Sequence, residues 1–365
     1  MHTLLDKNDA AQNTLPIIVG HQDTLLHLYL PERGEGRSFF VRSDKGHIDL
    51  PRAREGGLAG GFFAIFVPAP EANVNKNPRK VIQTEKGFEV PYAPAIDPSY
   101  ANGVTITMMA NLFRLEAESG GQVKIVRNVD ELVYCVEHDI HAAILHFEGA
   151  EAIDPQFDAL EVFYRVGLRS LGLVWSRPNI YAQGVPFKFP HSPDTGPGLS
   201  DAGRELVRAC NRLGIMLDLS HLNEKGFWDV AALSDAPLVA THSNAHAICP
   251  STRNLTDKQL DAIKASDGLV GLNFGVGDLR EDGNFDLDAS LDDMVRQVDY
   301  LVGRLGIDGV TLGTDFDGTH IPNVIGDAAG LPKLIDALRK HGYNDVALRK
   351  IAYENWLRVL RKTWK

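Results

Sequence analysis

The chain has 365 residues, of which 44% are hydrophobic and 23% are charged, fractions typical of a soluble globular protein. This length suffices for one large barrel or for two ordinary domains. The net charge of −11, without any block of Lys or Arg, argues against nucleic acid as a partner and favours a small-molecule substrate.

The N-terminal segment MHTLLDKNDAAQNT lacks the basic and apolar regions of a secretory signal, and no apolar run is long enough to span a bilayer. We therefore expect a cytoplasmic protein that does not bind a membrane. The three cysteines, Cys135, Cys210 and Cys249, are far apart in apolar or helix-like segments. This placement predicts free, buried or half-buried thiols and no disulfide framework.

Eight short apolar runs have the composition of buried β-strands. They cover residues 16–21, 60–67, 143–148, 170–175, 215–220, 237–242, 268–274 and 309–314. Segments with helical periodicity follow most of them. In the clearest, SLDDMVRQVDYLVGRLG, Ser290 can cap the start and Gly306 the end, and residues 200–213 form a second amphipathic pattern. This alternation predicts an α/β fold with a parallel sheet.

Polar residues follow many of the predicted strands, which favours a closed (β/α)8 barrel over an open doubly wound sheet, because an open sheet has its site at one switch point. We expect the whole chain, residues 1–365, to form this one domain. No G-x-G-x-x-G or Walker loop is present, which counts against a nucleotide cofactor. Two long connections, at about 68–101 and 176–199, are predicted to lie on the catalytic side and to influence substrate choice.

Five of the residues at strand ends are types that ligate metals: His21, Asp23, Glu148, His221 and His242. His21 and Asp23 are two apart, so on an extended backbone both side chains point the same way. The two oxygens of Glu148 could bridge two cations, and His221 and His242 supply imidazoles from consecutive strands. The set predicts two zinc ions about 3.5–4 Å apart, with a single-metal site as the alternative. Mn²⁺ or Fe²⁺ could occupy the same ligands.

Four further residues in or near the predicted strands are candidates for chemistry or support. Asp315, in GTDFDG, is predicted to carry a proton near the metals, while Asp317 has the simpler role of a helix N-cap. Arg253 could clamp a substrate carboxylate, although its spacing alone favours a surface salt bridge. His146 shares a strand face with Glu148, so we expect it in the barrel interior and not among the ligands.

Several segments together resemble the membrane (renal-type) dipeptidase family, the M19 metallopeptidases of the amidohydrolase superfamily. They run in family order across residues 20–318 and are GHQDTLLHL, LHFEGAEAI, LDLSHLNEKGFWDV, THSNAHAICPSTRNLTDKQLDAI and LGTDFDG. The resemblance implies a barrel with two zinc ions, one held by His21 and Asp23, the other by His221 and His242, with Glu148 bridging them.

The same resemblance implies the chemistry. A metal-bound hydroxide would hydrolyse the peptide bond of a dipeptide, with Asp315 as the acid and base and Arg253 holding the free carboxylate of the substrate. Family members often accept a D-residue on the C-terminal side, so L-Xaa-D-Xaa dipeptides are expected among the substrates. They are often dimers, so the resemblance is compatible with a homodimer, and we expect the cell to be bacterial.

Two positions depart from the renal-type pattern. Trp175, in LGLVWSRPN, replaces a His thought to steady the tetrahedral intermediate, and Gly275 replaces a Tyr that touches substrate. An indole donates one hydrogen bond and carries no charge, so stabilisation of the oxyanion must come mainly from the metals or from another group. We expect Trp175 to bind the substrate, and Gly275 indicates a differently shaped pocket. Hydrolysis of N-acyl amino acids or lactams is therefore the alternative. A non-catalytic metal-binding scaffold is less favoured, because Asp315 accompanies all five ligands.

Overall fold

The computed structural model describes residues 15–70 and 80–365. In these ranges the strands are β1 (Ile17–Gln22), β2 (Leu58–Ile65), β3 (Ile82–Gln83), β4 (Phe88–Val90), β5 (Val123–Ile125), β6 (His141–Glu148), β7 (Leu168–Gly172), β8 (Phe187–Phe189), β9 (Met216–Asp218), β10 (Val239–Ala240), β11 (Leu269–Asn273) and β12 (Val310–Phe316).

The α-helices of the same ranges lie between and after these strands. They are α1 (Thr24–Tyr29), α2 (Pro31–Gly34), α3 (Leu50–Glu55), α4 (Pro98–Glu118), α5 (Val129–Glu137), α6 (Asp158–Val166), α7 (Asp201–Leu213), α8 (Glu224–Leu233), α9 (Asp257–Ala265), α10 (Val276–Leu279), α11 (Leu291–Leu305), α12 (Leu331–His341), α13 (Asp345–Arg349) and α14 (Asn355–Thr363).

Eight parallel strands close into a barrel, which confirms the predicted (β/α)8 fold. Strands β1, β2, β6, β7, β9, β10, β11 and β12 pair in chain order, and β12 pairs back with β1. These are the eight strands expected from the sequence, with bounds shifted by a few residues. Almost every residue in them is buried, because the barrel interior covers one face and helices cover the other.

The predicted helix caps are present. At α11, the Ser290 hydroxyl accepts a hydrogen bond from the Asp293 backbone N–H at 3.2 Å, while Asp293 Oδ2 accepts one from the Ser290 N–H at 2.9 Å. Helix α7 begins after Ser200 and ends at Gly214, whose φ of 72° is the left-handed conformation that glycine adopts readily. These caps set where each helix begins and ends around the barrel.

The two long connections meet in a small second sheet that the sequence did not predict. Strands β3 and β4, from the first connection, pair antiparallel with β8, from the second, in the order β3-β4-β8. The Phe88 and Phe189 rings stack with centroids 6.2 Å apart and pack beside Cys249. This sheet carries Phe187 to the edge of the cavity described below. Residues 71–79 of the first connection lie outside the described residues.

A buried ion pair joins the start of both connections beneath the cavity wall. Arg177 Nε donates to Glu151 Oε1 at 3.1 Å, and Arg177 Nη2 donates to the Val67 carbonyl at 2.7 Å.

All three cysteines are free and buried, as expected. Among the described helices, none combines the length and apolar character needed to cross a membrane.

Candidate metal centre

The five predicted ligands come together at the C-terminal rim of the barrel, around the carboxylate of Glu148. Its Oε2 lies 3.6 Å from His21 Nε2, which in turn lies 3.2 Å from Asp23 Oδ2. Its Oε1 lies 3.0 Å from His221 Nε2 and 3.8 Å from His242 Nε2. The two oxygens of one carboxylate therefore face different histidines. His21, Glu148 and His242 also form a group in which one atom of each lies within 4.8 Å of the others.

Irregular backbone at the end of β12 directs Asp315 toward this cluster. His21 and Gln22 of β1 pair with Thr314 and Phe316, so Asp315 is an extra residue that bulges from the ladder. Thr314 and Asp315 have φ values of 57° and 62°, a conformation that non-glycine residues adopt rarely. One atom each of His21, Asp23 and Asp315 lie within 4.8 Å of one another.

Asn273, at the end of β11, holds the side chain of Asp315. Its Nδ2 donates to Asp315 Oδ2 at 3.1 Å, and its Oδ1 accepts from the Gly275 N–H at 2.6 Å. Burial raises the pKa of Asp315 above its ordinary value, although His21 opposes the shift. Sequence reasoning missed Asn273. Its place at the end of a predicted strand, beside the strand of Asp315, was the available signal.

The electrostatics of the cluster fit divalent cations. Burial lowers the pKa of His21, but the carboxylates of Glu148, Asp23 and Asp315 outweigh it and raise that pKa to about 10. Burial raises the pKa of Glu148 well above its ordinary value. Asp23 Oδ1 is buried and has no hydrogen-bond partner among the described residues. Crowded buried carboxylates of this kind need positive charge, which bound metal ions supply.

Hydrogen bonds at the Nδ1 atoms of His221 and His242 orient these two rings. His242 Nδ1 lies 2.8 Å from Thr241 Oγ1, which donates to Asp218 Oδ2 at 2.6 Å. His221 Nδ1 lies 3.0 Å from Ser176 Oγ. With Nδ1 engaged, the Nε2 atom of each ring faces Glu148. Sequence reasoning missed Asp218, Thr241 and Ser176, which precede the ligands or lie on a neighbouring strand exit and carry no motif of their own.

Two polar residues near the centre have structural roles. His146 is fully buried in the barrel interior, as predicted, with its Nδ1 2.8 Å from Ser170 Oγ. The prediction that Asp317 caps a helix is wrong. Its side chain instead accepts hydrogen bonds from Arg37 and, at 2.5 Å, from the His47 N–H. These hydrogen bonds anchor the segment after α2 to the turn that follows Asp315.

A cavity of about 250 Å³ opens above the ligands. Arg253 lines it and is only 5% exposed, so the surface salt bridge that its spacing favoured is absent among the described residues. Its Nη2 donates to the His242 carbonyl at 3.2 Å, while the buried Nη1 has no partner in the described part of the chain. A guanidinium group is thus directed into the cavity next to a ligand.

Aromatic rings form another wall of the cavity. The ring of Trp175 contacts that of Phe66 at a centroid distance of 4.7 Å and that of Phe187 at 6.0 Å. It also lies 5.9 Å from the ring of His221. The structure therefore brings Trp175 and Arg253 to the same cavity as three of the five predicted ligands, Asp23, Glu148 and His221. Gly275 directly precedes α10 as its N-cap residue.

The sequence profile of the membrane dipeptidase family, peptidase family M19, matches residues 5–365. The chain belongs to peptidase family M19. It is therefore a member of a family of metallo-dipeptidases, as the sequence predicted. The family's metal chemistry agrees with a rim where histidine and carboxylate groups converge.

Solved structures and a sequence relative are similar to this M19 protein over most of its length. A metallopeptidase from Rhodobacter sphaeroides, liganded with a phosphinate mimic of the dipeptide L-Ala-D-Ala, is 50% identical with a TM-score of 0.91, covering 96% of this chain and 100% of that one. The M19 dipeptidase AC is 50% identical with a TM-score of 0.89, covering 96% and 99%. An uncharacterized protein in the pqqA 5′ region of Klebsiella pneumoniae is 48% identical over 257 residues, 70% of this chain and 95% of its own length.

Proposed function

We propose that the protein is a zinc-dependent dipeptidase with two metal ions per chain. The observation that carries the proposal is the position of Glu148, whose Oε2 lies 3.6 Å from His21 Nε2 and whose Oε1 lies 3.0 Å from His221 Nε2 and 3.8 Å from His242 Nε2. His21 and Asp23 would hold one ion and His221 and His242 the other, with Glu148 between them. When bound, such a pair supplies an activated water and polarises the peptide carbonyl.

Arg253 would bind the free carboxylate of the dipeptide. A guanidinium group can bind a carboxylate through two parallel hydrogen bonds, and burial strengthens this interaction. The Nη1 of Arg253 is buried without a partner among the described residues, so a substrate carboxylate would satisfy it. A cavity of about 250 Å³ suits a small substrate, which agrees with a carboxylate anchor close to the reacting bond.

Asp315 would carry the proton. Its raised pKa, caused by burial, brings the carboxylate closer to the range where it can both accept and release a proton. Asn273 holds Oδ2 at 3.1 Å, so the Asp315 side chain stays oriented into the cavity. Asp315 would accept a proton from the attacking water and donate it to the amine nitrogen of the departing amino acid.

The aromatic wall favours a second candidate, the hydrolysis of N-acyl amino acids. Phe66, Trp175 and Phe187 give one side of the cavity an apolar surface that an acyl chain could contact. Trp175 would contact the substrate in either case. The two functions differ in whether the group on that side of the scissile bond carries a free α-amine.

Steady-state hydrolysis separates these candidates. Zinc-loaded and chelated enzyme would be compared on L-Ala-L-Ala, L-Ala-D-Ala and N-acetyl-L-alanine. The proposal predicts cleavage of at least one dipeptide by the loaded enzyme only, and slower cleavage of N-acetyl-L-alanine. Cleavage of N-acetyl-L-alanine alone would support the second candidate. If the loaded enzyme cleaves none of the three, both proposals are wrong.

A further inference from the structure

One carboxylate in the cavity has no role in the proposed mechanism. Asp278, in the short helix α10, lines the cavity together with Arg253 and is half-buried. Its Oδ1 accepts a hydrogen bond from Ser251 Oγ at 2.6 Å. Among the ion pairs of the described residues, none includes Asp278 or Arg253. The cavity therefore presents a guanidinium and a carboxylate that do not neutralise each other by direct contact.

Hydrogen bonds fix the position of Asp278 relative to Arg253. The Ser251 hydroxyl that donates to Asp278 also accepts from the Arg253 backbone N–H at 3.2 Å. The Asp278 carbonyl accepts from Asn244 Nδ2 at 3.1 Å and from Asn254 Nδ2 at 2.9 Å. The segment after β10 and the segment after β11 are thus joined. Because hydrogen bonds already hold both charged groups in place, ligand binding does not have to order them first.

We propose that Asp278 selects dipeptides whose C-terminal residue has a basic side chain, such as lysine or ornithine. The inference rests on the proposed dipeptidase function, in which Arg253 binds the α-carboxylate. Because a single hydroxyl links Asp278 to the Arg253 backbone, the group that meets Asp278 belongs to the same residue as that carboxylate. In this binding mode the α-ammonium group of the substrate would lie farther away, beyond the scissile bond.

The charge balance of the cavity supports this assignment. The carboxylates of Asp23, Glu148 and Asp315 belong to the metal and proton chemistry, and the substrate carboxylate matches Arg253. Asp278 then remains as the one carboxylate of the described cavity lining without a role in this chemistry. Arg33, the other cation of the lining, is exposed and forms no ion pair with Asp278 among the described residues. A cationic side chain would compensate its partial burial, whereas an acidic side chain would be repelled.

The test measures kcat/KM of zinc-loaded enzyme for L-Ala-Xaa in both stereoisomers of Xaa, with lysine, Nε-acetyl-lysine, norleucine, alanine and glutamate. We expect lysine to exceed norleucine and Nε-acetyl-lysine by at least about tenfold in one stereoisomer, the effect of a hydrogen bond between charged groups. In Asp278→Asn the ratio of lysine to norleucine should fall to about one. Asp282→Asn, a change at a carboxylate outside the cavity lining, should keep the wild-type ratio.

Equal rates for lysine and norleucine in the wild type would overturn the inference, as would a preference for glutamate. So would an Asp278→Asn enzyme that loses activity on all substrates equally, since Asp278 would then only position Arg253. If Asp278→Asn does not fold, the wild-type ratio of lysine to Nε-acetyl-lysine decides alone. Cleavage of L-Ala-Ala without a lysine preference leaves the dipeptidase proposal standing, whereas failure to cleave any dipeptide refutes that proposal as well.

Discussion

Thr241 connects His242 to a buried carboxylate. Because Thr241 Oγ1 donates to Asp218 Oδ2 at 2.6 Å, it accepts from His242 Nδ1 at 2.8 Å, which leaves His242 Nε2 unprotonated toward the centre. Loss of a hydrogen bond that orients a metal-binding histidine typically lowers metal affinity by about 10–100-fold. We expect that loss in Thr241→Val and near wild-type affinity in Thr241→Ser. Competition with a chromophoric chelator measures it, and an unchanged affinity in the valine variant would refute the role of this hydrogen bond.

Asp315→Asn separates proton transfer from metal binding at one residue. The amide has the shape of the carboxylate but cannot accept the proton, so we expect kcat to fall by about 10²–10⁴-fold. Metal content, measured by elemental analysis, should stay at the wild-type value. Asp336→Asn, which removes one partner of an exposed ion pair with Arg339, is the control and should leave kcat unchanged. Retained turnover in Asp315→Asn would mean that another group carries the proton.

At the scale of elements, the turn after β12 is packed directly against the centre. A Cβ placed on Gly318 would overlap both Asp23 Oδ2 and Asp315 Oδ1. Gly318→Ala should therefore displace these carboxylates and lower both metal affinity and kcat, each by about tenfold or more. Gly103, in α4, has no atom within 4 Å of the same position, so Gly103→Ala is the matched control. Wild-type activity in Gly318→Ala would show that the turn can move away without loss.

The elements differ in how far the sequence could predict them. The eight barrel strands follow from apolar runs, and the ligands from polar residues at the ends of those runs. Strands β3, β4 and β8 contain two or three residues each, too few for a periodic pattern, and β4 pairs with a strand about one hundred residues away. Their existence depends on that pairing. Asn273 and Thr241 were missed for the same reason, because their hydrogen bonds join neighbouring strands or segments that only the closed barrel brings together.

Once the metal ions are removed, the free energy of unfolding of the whole molecule should decrease as the pH rises above neutral. The pKa of His21 is raised from 6.5 to about 10, so its stabilising contribution is complete below pH 6.5 and is lost as the pH rises toward 10. Glu148 and Asp315, whose pKa values are raised by burial, also make the folded state bind more protons than the unfolded chain. Buried histidines with a lowered pKa, such as His141, act below this range.

The chelated protein should therefore show a falling melting temperature from about pH 7.5 to about pH 9.5, because the unfolded chain releases protons that the folded state retains. The zinc-loaded protein should show a smaller decrease, since bound cations replace the proton in balancing the carboxylates. Differential scanning fluorimetry of both forms across this range tests the difference. A melting temperature of the chelated protein that rises or stays constant would contradict the charge balance derived for the centre.

We propose that one barrel rim holds two metal ions, one on either side of Glu148. Anomalous diffraction from crystals of zinc-loaded protein, recorded above and below the zinc absorption edge, tests it directly. We expect two peaks in each chain, one among His21, Asp23 and Glu148 and the other among Glu148, His221 and His242. A single peak at full zinc loading, or peaks away from Glu148, would contradict it.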